Sequence, residues 1–103
     1  EYGISTAGEP TEPDLPGQFT LQQNYPNPFN PSTIISYDLP EAVQVRLEVF
    51  NMLGQKVATL INERQPAGAY QHSFDASALS SGTYLYRLRA GEYTETRKMM
   101  LLK

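Results

Sequence analysis

The chain contains no cysteine, no tryptophan and a single histidine, His72. Without cysteine there are no disulfides, no thiolate metal sites and no cysteine nucleophile. One histidine leaves most imidazole metal centres and catalytic triads without their parts. His72 alternates with Tyr70 and Phe74, so it reads as a half-buried strand residue rather than a catalyst. No apolar run approaches the roughly 20 residues of a spanning helix, so membrane insertion is not expected. No stretch repeats with the period of a long amphipathic helix. Basic residues are outnumbered, 8 Lys and Arg against 11 Asp and Glu for a net charge of −3. That balance argues against a nucleic-acid footprint. What remains, 103 residues of which 40% are hydrophobic, is material for one small core.

The charge is unevenly placed. Residues 1–17 hold Glu1, Glu9, Glu12 and Asp14, no base, three glycines and three prolines. This composition reads as an acidic linker over 1–17, extended at its prolines, ahead of a compact domain over 18–103. The linker has neither a basic nor an apolar leader region. The pair, linker first and compact domain after, reads as the tail end of something longer, a covalently attached N-terminal part.

From residue 18 apolar residues alternate with polar ones. Val43, Val45, Leu47 and Val49 share one strand face, and Gln44, Arg46 and Glu48 the other. Ile35, Tyr37 and Leu39 repeat the pattern, as do Tyr84, Tyr86 and Leu88. About seven strands are expected, near 19–24, 33–39, 43–50, 55–62, 69–75, 83–90 and 94–102. The fold class is therefore all-β, a sandwich or a barrel of antiparallel strands. Between strands, Asn51-Met52-Leu53-Gly54 reads as a type I turn, with Asn51 accepting backbone hydrogen bonds. Gly54 supplies the positive φ that closes the hairpin with a bulge. Residues 75–81 are expected to form one helical turn. In the last hairpin, pairing Arg89 with Glu95 and Tyr84 with Met100 keeps opposite charges together. Tyr84, Val45, Val49 and Phe29 are expected to be the most buried residues.

The segment from Asn24 to Thr33 holds three prolines in six residues, which remove three donors and fix three φ angles. It cannot be a helix or a central strand. It reads as a stiff crossover with Phe29 as a plug for the core. Asn27 and Asn30 can satisfy local backbone groups.

Other chemistry is thinly supported. Ser80-Ser81-Gly82 lacks the context of a nucleophile elbow. Asp38 and Glu41 flank a proline turn and read as solvated. Asp75 and Ser77 offer only scattered oxygens to a cation. Arg87, Arg89 and Arg97 with Tyr86 and Tyr93 read as a solvated strand face, since the overall acidity disfavours nucleic acid. Seven tyrosines leave room for a carbohydrate-binding or cell-attachment module, although no row of three rings is evident. No catalytic residue, metal or cofactor is expected.

The run Leu21 to Ile35, with Asn24-Tyr25-Pro26-Asn27-Pro28-Phe29-Asn30-Pro31 at its centre, resembles the opening of the type A C-terminal sorting domain of the type IX secretion system. The resemblance continues through Tyr37-Asp38-Leu39-Pro40 and Val49 to Val57. It resumes at Ala67-Gly68, at Leu79 to Leu88 and at Arg97 to Lys103, covering about residues 18–103. Asn51 stands where many relatives have aspartate, and Thr83 where valine is usual.

The resemblance implies an Ig-like β-sandwich at the C-terminus of exported cargo. Such cargo passes through the periplasm to the cell surface or medium. The outer-membrane translocon reads the folded domain, and a sortase-type protease commonly removes it. Any cleavage region would then fall in 1–17. On this reading the residues expected to serve recognition are Asn27, Pro28, Phe29, Gly54, Gly82, Lys98 and Lys103. The final strand, if it lies at a sheet edge, could add to a partner's sheet. A passive Ig-like spacer is the reading without export.

Overall fold

The computed structural model describes residues 15–103. Most of the expected acidic linker lies outside the described residues, and its last three, Leu15, Pro16 and Gly17, belong to no strand. Seven strands follow: β1 (Thr20–Leu21), β2 (Ser32–Leu39), β3 (Val43–Phe50), β4 (Lys56–Gln65), β5 (Gly68–Asp75), β6 (Gly82–Ala90) and β7 (Tyr93–Leu101). They form a three-stranded sheet in the order β1-β2-β5 and a four-stranded sheet in the order β4-β3-β6-β7. All pairings are antiparallel, and the described residues contain no helix. This is the expected all-β sandwich.

The period-two pattern decides which face each strand buries. Ile35, Tyr37 and Leu39 from one sheet meet Val45, Leu47, Val49, Tyr86, Leu88, Met99 and Leu101 from the other, all enclosed. Val45, Val49 and Phe29 are among the most enclosed residues, as expected, whereas Tyr84 keeps 8% of its surface exposed, its hydroxyl reaching out to the Ser80 carbonyl. The one acid enclosed on the opposite face of β3 is Glu48. It is only 3% exposed, covered by Arg87 at 3.3 Å and Lys56 at 3.5 Å. Arg87 in turn lies 4.6 Å over the Phe50 ring.

Two expectations fail on register and facing. β6 and β7 pair Arg89 with Thr94, Leu88 with Glu95 and Tyr84 with Met99, one residue away from the pairing that matched charges. The two-residue turn Gly91-Glu92 sets this register by closing on Ala90 and Tyr93. A one-residue slip would also turn Met99 and Leu101 out to solvent, and burying them outweighs an exposed ion pair. The same register splits the expected basic face. Arg87 and Arg89 point outward, whereas Tyr86, Tyr93 and Arg97 lie on the inner side with Met99. Arg97 donates from Nε to the Leu21 carbonyl at 2.6 Å and pairs with Glu95 at 3.1 Å.

The turn chemistry follows the sequence. Asn51 Oδ1 accepts from the amides of Leu53 and Gln55 at 2.9 and 3.0 Å. Gly54 has φ 85°, and the β3–β4 ladder is irregular on the approach to this turn. Residues 75–81 make a tighter structure than a helical turn. Ser77 donates its amide to Asp75 Oδ1 at 2.9 Å, and Leu79 donates to the Ala76 carbonyl at 2.9 Å. Asp38 accepts from Thr20 Oγ1 at 2.7 Å.

The pairings give the sandwich two distinct poles. At one, Thr20 pairs with Asp38, Leu39 with Gly68, and Ala90 with Tyr93. The chain arrives here, with the Phe19 ring stacked on Tyr93 at 5.3 Å; this is the linker pole. At the other, the C-terminal pole, Ser32 pairs with Asp75, Phe50 with Leu85, and Gly82 with Leu101.

Candidate recognition pole

The proline segment crosses from β1 to β2 over the C-terminal pole. Proline removes donors, so the segment cannot join a sheet along its length. The non-proline residues between make the contacts. Tyr25 exchanges two backbone bonds with Ile34, at 3.0 and 2.9 Å. Phe29 donates its amide to the Met100 carbonyl at 2.9 Å and accepts from the Leu102 amide at 3.0 Å, a parallel bridge to β7. Asn27 Oδ1 accepts from the Met100 amide at 2.9 Å. The Tyr25-Pro26, Asn27-Pro28 and Asn30-Pro31 peptide bonds are all cis.

The Phe29 side chain plugs the sandwich end, 2% exposed and 6.4 Å from the Phe74 ring. It therefore fixes the loop from inside rather than offering a surface. Asn27 and Pro28 beside it are exposed.

A buried polar lock holds the segment from behind. The Asn24 amide donates to the Tyr86 hydroxyl at 2.8 Å, and that hydroxyl donates to the Gln22 carbonyl at 2.7 Å. Asn24 Nδ2 donates to Thr33 Oγ1 at 2.9 Å and to the Pro26 carbonyl at 3.1 Å. Thr33 Oγ1 donates to the same carbonyl at 2.9 Å, and Gln23 Nε2 donates to Asn24 Oδ1 at 2.7 Å. Burial pushes the Tyr86 phenol up to about 12. The alternation marks Tyr86 as core, but nothing in the sequence marks Asn24 and Thr33 as its polar partners. Asn24 and Tyr86 lie 62 residues apart, and only Asn24's place at the head of the proline run singles it out.

β7 is an edge strand, which meets the condition set for strand addition. Met100 turns its amide and carbonyl away from β6 to the loop, so alternation turns those of Thr94, Thr96 and Lys98 outward too. Gln23 Nε2 takes the Lys98 carbonyl at 2.6 Å. The proline loop thus covers the C-terminal half of this edge, and no strand pairs with it among the described residues.

The expected recognition residues come together at one pole. Asn27, Met52 and Lys98 line one depression with Thr83, Met99 and Met100. Gly54 is in the same turn as Met52. Gly82 opens β6 beside Leu101. Lys103 is tied down there as well, its amide donating to Ser81 Oγ at 3.0 Å and Nζ to the Ser77 carbonyl at 2.6 Å. Exposed apolar side chains gather on this pole: Met52, Leu53, Met100 and Leu102. The sequence reading did not single these four out for recognition, because apolar residues in short turns and strand ends look like core.

Among the described residues, no cluster of three or more His, Cys, Asp or Glu could hold a metal ion. Nor is any helix long and apolar enough to cross a membrane.

A comparison with curated proteins gives no match. A family model described as "Secretion system C-terminal sorting domain" matches residues 23–102. The match runs from Gln23, through the proline loop, to just past the end of β7, so every residue named for the recognition pole except Lys103 falls within it. This chain belongs to the secretion system C-terminal sorting domains, the sorting signals of type IX secretion.

Proposed function

We propose that the C-terminal pole is the surface read by the outer-membrane translocon of type IX export, while cargo hangs from the linker pole. Membership of the family carries the role of a sorting signal, with export to the cell surface or medium. The observation that supports the finer reading is polarity: the chain arrives beside Tyr93 and Leu39, and the proline loop, β7 terminus and exposed methionines lie at the opposite end. Cargo attached at one end leaves the other unobstructed.

A sorting signal needs a fixed shape rather than a reactive group, and this pole is built for rigidity. Three prolines, the polar lock and the parallel bridge fix the loop before any partner arrives, so little ordering entropy is lost on binding. Met52 and Met100 are adaptable apolar contacts, and Lys98 beside them discriminates by charge. A sortase-type protease would act in the acidic segment 1–17, away from the docked pole.

The test is export of a folded reporter fused ahead of the chain, in a bacterium with the type IX system. Met52→Glu with Lys98→Glu should hold the reporter in the periplasm, as should removal of residues 98–103. Glu41→Lys at the linker pole should leave export intact. Normal export of the pole variant would contradict the proposal.

A further inference from the structure

The outer face of the four-stranded sheet is far more basic than the chain. Alternation and register place Arg46 on β3, Lys56 and Arg64 on β4, Arg87 and Arg89 on β6 and Lys98 on β7 on that one face. These are six of the eight Lys and Arg residues. Among the described residues, the only acid sharing the face is Glu48, already enclosed by Arg87 and Lys56. A protein of net charge −3 thus presents one strongly positive sheet.

The arrangement is ordered. Arg64 lies opposite Gln44, Arg46 is two residues further along β3, and Arg89 is directly opposite Arg46. Arg87 follows along β6, and Lys98 lies one strand over and two residues on. With strands about 5 Å apart and alternate residues about 7 Å apart, this is a diagonal stripe roughly 25–30 Å long. Like charges directly opposite each other destabilise a sheet. The Arg46–Arg89 pair flanks a depression with Gln44 and Gly91, and both arginines are exposed. Guanidinium groups in such a row suit carboxylates or phosphates repeated along a line.

We infer that this stripe binds a linear acidic polysaccharide, running diagonally across β4, β3, β6 and β7. The middle of the face offers Gln44, Arg46, Asn62 and Arg89 and no apolar centre of the kind protein interfaces bury. Phe50, the one aromatic on this face among the described residues, is covered by Arg87, so no described ring on it is free to stack a nucleobase. The stripe begins near the linker pole and reaches the C-terminal pole only at Lys98. The domain can therefore hold a surface glycan through most of its length without using the recognition pole. A cell-surface destination places it among such polymers.

The experiment is affinity electrophoresis and titration calorimetry of the chain with polygalacturonate, beside neutral dextran, poly-glutamate and oligo-thymidine. The expected result is binding to polygalacturonate that weakens as salt rises, no binding to dextran, and weaker binding to the other two polyanions. Arg46→Gln with Arg89→Gln should weaken binding at least tenfold without lowering the melting temperature, and Lys103→Gln should leave it unchanged. Should the double variant not fold, Arg64→Gln alone should give a two- to threefold loss. No binding at low salt, equal binding by the variants, or equally tight binding to poly-glutamate or oligo-thymidine would overturn the inference.

Discussion

The amide of Asn24 lies 2.8 Å from the hydroxyl of Tyr86, joining the start of the proline loop to the middle of β6. Because the same hydroxyl donates to the Gln22 carbonyl, one phenol satisfies two backbone groups of the crossover. Tyr86→Phe removes both bonds and leaves the buried Asn24 amide without its acceptor. The expected loss is about 1–3 kcal/mol, read by urea denaturation. A loss under about 0.5 kcal/mol would show that the loop is held by other contacts.

Phe29→Ala should cost roughly 3–5 kcal/mol, since the ring is enclosed between the sheets and packs on Phe74. Chemical denaturation measures it. A change below about 1 kcal/mol would mean that the sandwich end closes without the plug.

Gly54 and Gly91 both sit at positive φ, 85° and 62°, but their surroundings differ. A Cβ at Gly54 meets nothing within 4 Å, whereas one at Gly91 would lie 2.8 Å from Val43 Cγ2. Gly54→Ala should therefore cost about 1–2 kcal/mol from backbone strain alone. Gly91→Ala carries the same strain plus the clash, so its melting temperature should fall further. The reverse order in a thermal melt would refute this assignment. The larger Gly54→Val change should cost about 1–3 kcal/mol.

Alkali should unfold the domain. Burial raises the hydroxyls of Tyr37, Tyr86 and Tyr93 to about 12, from the ordinary phenol value of 10.0. Between these values the unfolded chain gives up protons that the folded chain keeps. Stability from these groups is complete below about pH 10 and is lost as pH rises toward 12. Denaturation midpoints between pH 9 and 12 should fall, and absorbance at 295 nm should show late-titrating tyrosines. A midpoint constant to pH 12 would contradict the buried placement of these rings.

Much of the fold was legible because alternation and turns are local signals. Val45, Leu47 and Val49 announce their face by spacing, and Asn51 with Gly54 announces a hairpin by turn chemistry. Register in the last hairpin was not legible: Arg89 and Glu95 invite pairing, but the Gly91-Glu92 turn and the burial of Met99 and Leu101 decide otherwise. Phe29 was readable as a plug because it is the one wholly apolar side chain among prolines. The Asn24–Thr33–Tyr86 lock was not, because a polar group's burial depends on a partner 62 residues away. The gathering of Asn27, Lys98 and the Asn51–Gly54 turn at one pole likewise emerges only from strand order.

The most direct measurement is the partition of a folded reporter carrying this chain at its C-terminus, expressed in a type IX-competent bacterium with a separate N-terminal leader. The reporter should appear at the cell surface or in the medium, and should stay in the periplasm when Met52 and Lys98 are both changed to glutamate. Periplasmic retention of the unaltered fusion, with the domain folded, would contradict the claim that this small sandwich is itself the export address.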